Sequence, residues 1–199
     1  VRIRRRVVFP QPFVPSTKTR SFLKTCISAF EKSFFGKIEE DTLNLSLIEA
    51  TIRGNDKRKI QMARRILEEV SDLRKPIIGV LGAAFKGGTD DCRESPAMQI
   101  IQILLEKGAT IRLFDPEALE NAKKILGDKV YYAKDMYDAL EEADVMAILT
   151  EWEDFKNIDL EKAKQKLKNP KIVDLRNLIN RKSAINLGFD IKSIGVCND

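Results

Sequence analysis

The chain has 199 residues, of which 43% are apolar and 33% are charged, and this composition is typical of a globular protein with one full-sized domain and about a third of another. The longest run without a charged or strongly polar residue covers only residues 77–85, far short of the roughly 20 residues of a membrane-spanning helix. The net charge is +5 and histidine is absent, which removes the most common general base and the most common metal ligand.

The basic residues are concentrated at the start of the chain. Residues 1–65 carry 15 Lys and Arg against 6 Asp and Glu, and residues 1–30 contain no acidic side chain. A basic arm of this kind can bind the phosphate backbone of a nucleic acid, but a solvated terminus without a ligand is the simpler alternative. We therefore treat residues 1–45 as a basic N-terminal segment, and we do not expect nucleic acid to be the partner.

A long amphipathic helix is predicted next, from Leu47 to Val70, because apolar residues recur there at intervals near 3.6 residues. The pair Gly54-Asn55 interrupts this pattern and is a place for a kink. The apolar stripe of the helix needs a partner. Because so little chain precedes it, we expect a second copy to supply that partner, so the sequence favours a homodimer through residues 47–70.

Beyond Pro76, short apolar segments alternate six times with amphipathic helices. This alternation predicts an α/β fold with a doubly wound, Rossmann-like parallel sheet that follows the long helix. Both ends of the first of these helices are indicated by the sequence. Ser95 is suited to the N-cap and Pro96 to the first turn, and Gly108 can adopt the left-handed backbone conformation that ends a helix. The predicted strands are Ile77–Leu81, Thr110–Phe114, Lys129–Tyr132, Val145–Thr150, Lys171–Asp174 and Ile191–Ile194.

The loop after the first strand, residues 82–95, is the first candidate binding element. It contains three glycines and the cations Lys86 and Arg93, and it ends at the N-terminus of a helix, where free N–H groups attract anions. The loop matches neither GxGxxG nor a Walker motif. A phosphate site and an ordinary strand–helix connection therefore both remain open from the spacing alone.

Three further residues are predicted to reach the same edge of the sheet. Trp152 follows the fourth strand and could either form the wall of a pocket or cover the end of the sheet. Asp115 follows the second strand, where an acid binds ribose in dinucleotide-binding folds, but an Asp-Pro turn explains it equally well. Arg176 follows the fifth strand and adds a third cation.

Four segments in chain order resemble one known family. They are Phe85-Lys-Gly-Gly-Thr-Asp-Asp-Cys-Arg-Glu-Ser-Pro96, Phe114-Asp-Pro116, Thr150-Glu-Trp152 and Val173-Asp-Leu-Arg-Asn177. Over residues 75–196 the chain closely resembles the C-terminal, UDP-binding domain of the UDP-glucose/GDP-mannose dehydrogenase family, and the last two segments look more like its UDP-glucose branch. Residues 47–55 look like the end of the family's central helical region. The resemblance thus divides the chain into residues 1–45, 46–74 and 75–199.

The resemblance implies a ligand and a set of site residues. Phe85 and Lys86 would contact a UDP-sugar, and Arg176 would help to hold this anionic ligand. Arg58 would be the arginine that a neighbouring subunit supplies to the sugar, and Arg93 would lie at the cleft toward the cofactor. The family oxidises the C6 alcohol of the sugar to a carboxylate in two hydride transfers to NAD, with a covalent cysteine intermediate. No metal is implied.

The chain also departs from the family. The family's catalytic cysteine stands in a GFGGSCFPKD-like segment, and Cys26, Cys92 and Cys197 all lack that context, so we expect all three to be non-catalytic. Their spacing excludes a CxxC pair, and three free thiols are typical of a reducing cytoplasm. Nor does the chain match the family's NAD-binding domain, so NAD is expected as a cofactor only at the level of the family.

We therefore expect the nucleotide-sugar-binding C-terminal portion of a UDP-glucose dehydrogenase-like oxidoreductase, in the cytoplasm and inactive by itself. The alternative is a non-catalytic module or partner subunit that binds UDP and dimerises through residues 47–70. A third hypothesis has the basic arm bind nucleic acid, and it requires an affinity that falls steeply with salt.

Overall fold

The computed structural model of the chain describes residues 46–196, which form a parallel sheet with helices on both faces. The sheet has six strands in the order β3-β2-β1-β4-β5-β6, and every neighbouring pair is parallel. The strands are β1 Ile77–Leu81, β2 Thr110–Phe114, β3 Tyr131–Tyr132, β4 Val145–Ile148, β5 Lys171–Asp174 and β6 Asp190–Ser193. The helices are α1 Ser46–Glu68, α2 Pro96–Glu106, α3 Leu119–Leu126, α4 Met136–Leu140, α5 Glu153–Lys156, α6 Leu160–Lys166 and α7 Arg181–Asn186.

Two hydrophobic clusters lie on opposite faces of the sheet. Since side chains alternate along a strand, Val80 joins the cluster under α1, α2 and α3, and Leu81 joins the one under α4 to α7. All four residues of β4 are buried, as expected for a central parallel strand that is covered on both faces. The predicted doubly wound, Rossmann-like fold is therefore confirmed.

Helix α1 packs on this domain with its second half only. Met62, Ala63 and Ile66 are buried in the cluster that contains α2, whereas Leu47 and Ile52 in the first half are 80% and 50% exposed. The helix continues without a break through Gly54 and Asn55. Among residues 46–196, no helix combines the length and the apolarity that a membrane crossing requires.

The strand order reverses between β1 and β4. Strand β1 pairs with β2 on one side and with β4 on the other, so the chain leaves β1 and β4 in opposite directions at their carboxyl ends. This is the switch point at which doubly wound folds bind their ligands. The loop after β1 and the residues after β4, which the sequence analysis placed at one edge of the sheet, both follow strands that meet at this point.

Three strands differ from their predicted bounds. Strand β3 is shorter because a 3-10 turn, Gly127–Lys129, takes up the residues before it. Strand β4 ends at Ile148: the N–H of Leu149 still donates to Leu81 of β1, but the carbonyl of Leu149 accepts from the side chain of Arg176, and the Thr150 hydroxyl donates to the carbonyl of Ala84. Strand β6 ends at Ser193, because the side-chain amide of Asn177 takes both the N–H and the C=O of Ile194, each at 3.1 Å.

Candidate functional site

Two segments meet at the switch point, and we call them the β1 loop, residues 82–95, and the β4 exit, residues 149–152. The β1 loop begins at Gly82, whose φ of +102° lies in the region that favours glycine. A Cβ at Gly82 would stand 2.5 Å from the Cβ of Thr150. Gly82 is therefore required both by its backbone conformation and by its close approach to the β4 exit.

Asp115 fixes the start of the β1 loop. Its Oδ2 accepts hydrogen bonds from the backbone N–H groups of Ala83 at 2.7 Å and Ala84 at 3.0 Å, and from Nε1 of Trp152 at 3.2 Å. Its Oδ1 accepts two more from the N–H groups of Glu117 and Ala118. The side chain is 1% exposed, so both carboxylate oxygens are occupied by protein donors. This arrangement favours the turn over the ribose-binding acid.

Two buried hydroxyl groups complete the anchoring of the loop. The Oγ1 of Thr150 donates to the carbonyl of Ala84 at 2.8 Å, and the Oγ of Ser95 donates to the carbonyl of Ala83 at 2.8 Å. Thr150 and Ser95 are 0% and 1% exposed. Buried hydroxyls with partners of this kind hold a backbone in one conformation, so the base of the loop is preorganised.

The middle of the β1 loop projects from this base. The N–H of Phe85 donates to the carbonyl of Asp91 at 2.8 Å, which brings the two ends of the projecting part together. Phe85 and Lys86 are exposed there, and Lys86 makes no ion pair or side-chain hydrogen bond within the described range 46–196. Gly87 contacts the β4 exit so closely that a Cβ would stand 2.0 Å from the carbonyl oxygen of Glu151.

Arg176 reaches the same place from β5. Its Nε donates to the carbonyl of Leu149 at 2.8 Å and lies 3.1 Å from Oε2 of Glu151. Its backbone N–H donates to Oδ1 of Asp174, a fully buried carboxylate that also accepts from the N–H of Ile179. Glu151 thus pairs with Arg176 through its carboxylate, and its carbonyl oxygen contacts Gly87, the residue that follows Lys86.

Arg93 is placed differently. Its Nε and Nη2 donate to the two carboxylate oxygens of Asp91 at 2.9 and 2.8 Å, and these bonds to Arg93 hold the pKa of Asp91 down at about 2. Arg93 borders a shallow groove of about 180 Å³ that Met98, Gln99 and Ile125 also line. Its guanidinium is 74% exposed, so the prediction that it faces a cofactor stays a prediction.

The N-terminus of α2 is capped by a side chain of the protein itself. Ser95 Oγ accepts from the N–H of Ala97 at 3.2 Å, Pro96 has no N–H, and Ala97 and Met98 are 1% and 4% exposed. Ser95 is thus the N-cap that the sequence predicts. The first turn of α2 is buried, so this helix end does not present the open anion site that the loop pattern suggested.

The side chains of Trp152 and Cys92 both bond to and pack against other parts of the domain. Trp152 bonds to Asp115 and packs against both hydrophobic clusters, so it covers the end of the sheet. Cys92 is 3% exposed and its Sγ donates to the carbonyl of Ala118 at 3.7 Å. Burial, with the charges of nearby aspartates, raises the pKa of the Cys92 thiol to about 11, which disfavours the nucleophilic thiolate. Cys26 and Cys197 lie outside the described residues.

Arg58 is the predicted site residue that the structure does not bring to this edge. It lies in the exposed first part of α1 and makes no contact with Lys86 or Arg176 that the structure records. The family resemblance implies that a neighbouring subunit supplies this arginine, and that role stays a prediction. In the portion of the chain described by the structure, no group of three or more Cys, Asp or Glu side chains could hold a metal ion.

Sequence reasoning missed three residues that shape the site. Thr150 and Glu151 entered the sequence analysis as part of the segment Thr150-Glu-Trp152 with no site role assigned, yet Thr150 anchors the loop and Glu151 pairs with Arg176. Asn177 ends β6 from a distance of 17 residues in the chain. The one available signal was the cluster Thr150-Glu151-Trp152 directly after an apolar strand, since polar residues at that position face the switch point.

Comparison with known proteins gives a consistent result. Residues 79–181 match the model of the UDP-glucose/GDP-mannose dehydrogenase family, UDP binding domain. The chain is 41% identical over 150 residues to a UDP-glucose 6-dehydrogenase of Rhizobium meliloti and 38% identical over 184 residues to the UDP-glucose 6-dehydrogenase TuaD of Bacillus subtilis. These matches cover 75% and 88% of this chain but only 34% and 40% of the two relatives.

Solved structures agree with the sequence matches. A UDP-glucose dehydrogenase from the archaeon Pyrobaculum islandicum superposes with a TM-score of 0.60 at 30% identity, over 74% of this chain and 31% of that one. The described domain therefore corresponds to about a third of a longer relative.

Proposed function

Because the chain belongs to the UDP-glucose/GDP-mannose dehydrogenase family, we propose that the edge formed by the β1 loop, the β4 exit and Arg176 binds the diphosphate of a UDP-sugar. The observation that carries this proposal is that two cation-bearing segments meet at Glu151 within the matched residues: its carboxylate pairs with Arg176, and its carbonyl oxygen contacts Gly87, next to Lys86. Two cations from two different loops suit a ligand with two linked phosphates.

Each of these residues has a distinct role in the proposal. Lys86 supplies an exposed ammonium group as a mobile point charge. The Nε of Arg176 is held by the carbonyl of Leu149, so its guanidinium is oriented before a ligand arrives. Phe85, 36% exposed and next to Lys86, offers an apolar surface to the ligand.

The reaction of the whole relatives is a wider proposal. We infer that the chain is the nucleotide-sugar-binding portion of an oxidoreductase that converts UDP-glucose to UDP-glucuronate, with NAD as the hydride acceptor. The described residues do not themselves fit NAD, since the β1 loop has no GxGxxG pattern and both oxygens of Asp115 are occupied. Arg93 is our candidate for a contact to the cofactor, and no catalytic residue is assigned within 46–196.

Ligand-induced stabilisation tests the proposed function. A ligand that binds only the folded state stabilises it by RT ln(1 + c/Kd), where c is the free ligand concentration, and so raises the melting temperature. We expect UDP-glucose and UDP to raise the melting temperature of the 199-residue chain, and NAD to leave it unchanged. Equal shifts with UDP-glucose and NAD, or no shift with any of them, would contradict the proposal.

A pair of variants tests the assigned cations. The double variant Lys86→Ala with Arg176→Ala should lose UDP binding by at least tenfold in calorimetric titration, because each cation is expected to contribute about 1 kcal/mol or more. Lys107→Ala is the matched control, since Lys107 is an exposed lysine that follows α2 and precedes β2, at the opposite edge of the sheet. Unchanged affinity in the double variant would refute the assignment.

The second candidate function is a dimerising, non-catalytic module, and the exposed half of α1 favours it. Leu47, Ile52 and Ile60 on this helix are 80%, 50% and 49% exposed. Large apolar side chains that are exposed close together are typical of a protein–protein contact surface. We propose that residues 47–70 join two copies, that residues 46–74 form the dimer region, and that residues 75–199 form the binding domain. Residues 1–45 remain a separate basic segment in this division.

Sedimentation measures the proposed dimer directly. We expect the chain to be a dimer at micromolar concentration, and Ile52→Glu to raise its dimer dissociation constant at least tenfold. Ile185→Glu is the control, because Ile185 is 49% exposed on α7. If Arg58 is supplied across the dimer, Arg58→Ala weakens UDP-glucose binding more than UDP binding. A monomer with full UDP-glucose affinity would argue against the interface.

We also propose that the protein works in the cytoplasm. Support comes from Cys92, a free and buried thiol, which suits a reducing compartment.

A further inference from the structure

Glu151 places a negative charge beside Arg176, one of the two proposed ligand cations, and its backbone contacts the β1 loop, which carries the other, Lys86. The Oε2 of Glu151 lies 3.1 Å from Nε of Arg176, and the side chains of Glu151 and Arg176 are 42% and 30% exposed. An acidic group at this place opposes an anionic ligand, so its presence calls for an explanation.

The backbone holds Glu151 at this position. Its carbonyl oxygen is in contact with Gly87, and the preceding Thr150 is fully buried and bonded to the carbonyl of Ala84. Both contacts are with the β1 loop, one of them next to Lys86. The Glu151 carboxylate is thus attached to a main chain that is held against the β1 loop, and it lies beside Arg176.

Arg176 does not depend on Glu151 for its orientation. The carbonyl of Leu149 accepts from its Nε at 2.8 Å, and the backbone of Arg176 is held by Asp174. Within residues 46–196, no recorded hydrogen bond or ion pair uses its Nη1 and Nη2. The guanidinium therefore keeps two amino groups for phosphate oxygens, and Glu151 contributes mainly its charge.

We propose that Glu151 is a specificity-determining residue that disfavours ligands in proportion to their negative charge, an inference that rests on the proposed binding of UDP-sugars at this edge. The diphosphate of UDP-glucose is a diester with about two negative charges, whereas UDP has a terminal phosphate and about three at pH 8. Repulsion by one fixed carboxylate grows with ligand charge. Glu151 thus favours the nucleotide sugar over the free nucleotide.

Calorimetric titration of the full chain with UDP and with UDP-glucose at pH 8 and low salt tests this role. Glu151→Gln keeps the size of the side chain and removes its charge. We expect it to bind UDP about fivefold and UDP-glucose about threefold more tightly, the gain being that of an exposed ion pair scaled by ligand charge. Both gains should shrink in about 0.5 M NaCl, where the charges are screened.

Glu153→Gln is the matched control. Glu153 lies two residues further along, in α5, and its Oε2 pairs with Lys156 at 2.7 Å instead of with Arg176. We expect this variant to bind both ligands as the original chain does. Melting curves of all three proteins, and of Glu151→Ala as a second variant, check that the fold is retained.

The results separate the two proposals. If the original chain binds UDP-glucose but Glu151→Gln binds UDP equally well or less well, the role of Glu151 is overturned and the proposed function stands. Equal gains for the two ligands would also overturn the selectivity. If none of the proteins binds either ligand, the proposed function fails and this inference fails with it.

Discussion

Asp115 accepts five hydrogen bonds from the β1 loop, the β2–α3 turn and Trp152. A buried carboxylate is stable only when donors replace its lost hydration, and here five N–H groups of the protein do so. The same residue type at the same position binds ribose in dinucleotide-binding folds. An acid at this position can bind ribose only if its oxygens are not already occupied by N–H donors of the protein. Whether they are occupied depends on how the β1 loop, the β2–α3 turn and the β4 exit fold together.

Cys92 allows a prediction at the same scale. Because the pKa of its thiol is raised to about 11, its thiolate fraction at pH 8 is about one in a thousand, and the side chain is 3% exposed. We expect iodoacetamide at pH 8 to leave Cys92 unmodified in the folded chain, as read from the mass of its peptide. Modification should increase as the pH rises toward 11.

The control for this experiment is the unfolded chain. In guanidinium chloride, Cys92 should react at pH 8 like an ordinary cysteine, since burial and the neighbouring aspartates no longer act on it. Rapid alkylation of Cys92 in the folded protein at pH 8 would show that its surroundings favour the thiolate, and would reopen the question of a chemical role.

At the scale of elements, α1 provides a comparison within one helix. Ile66 is fully buried against α2, whereas Ile60 is 49% exposed. We expect Ile66→Ala to reduce the free energy of unfolding by about 3 kcal/mol, because it leaves a cavity in the core. Ile60→Ala should change it by less than about 1 kcal/mol. Urea unfolding curves measure both values.

This pair also tests the division of the chain at residues 74 and 75. If α1 were independent of the sheet, the two substitutions would have the same small effect on the unfolding of the sheet domain. A large effect of Ile66→Ala alone would show that the second half of α1 stabilises this domain. The side chain of Lys171 supports that outcome, because its Nζ donates to the carbonyl of Glu69 just beyond α1.

The strands were predictable because their signal is local. A buried parallel strand is a short apolar run between turn residues, and β1, β2 and β5 have the predicted bounds. The ends of β4 and β6 were not predictable, since Thr150 bonds to a residue 66 positions away and Asn177 to one 17 positions away. For the same reason, periodicity located the candidate site but not the contact between Glu151 and Arg176.

At the scale of the whole molecule, the fluorescence of Trp152 can report on unfolding. It is the only tryptophan in the sequence, and it packs against the hydrophobic clusters on both faces of the sheet. If the described domain unfolds as one unit, its fluorescence and the far-ultraviolet circular dichroism should have the same urea midpoint. Separate midpoints would show that the two faces of the sheet, or α1, unfold independently.

The central position of β1 also bears on how the chain folds. Its first N–H donates to the carboxylate of Asp144, 67 residues later, and the end of α1 is tied to Lys171 across 102 residues. Contacts of such long range form slowly, because the chain loses loop entropy before they stabilise it. We therefore expect β1 to have one unpaired edge during synthesis until β4 has emerged, and the chain to be most prone to aggregation in that interval.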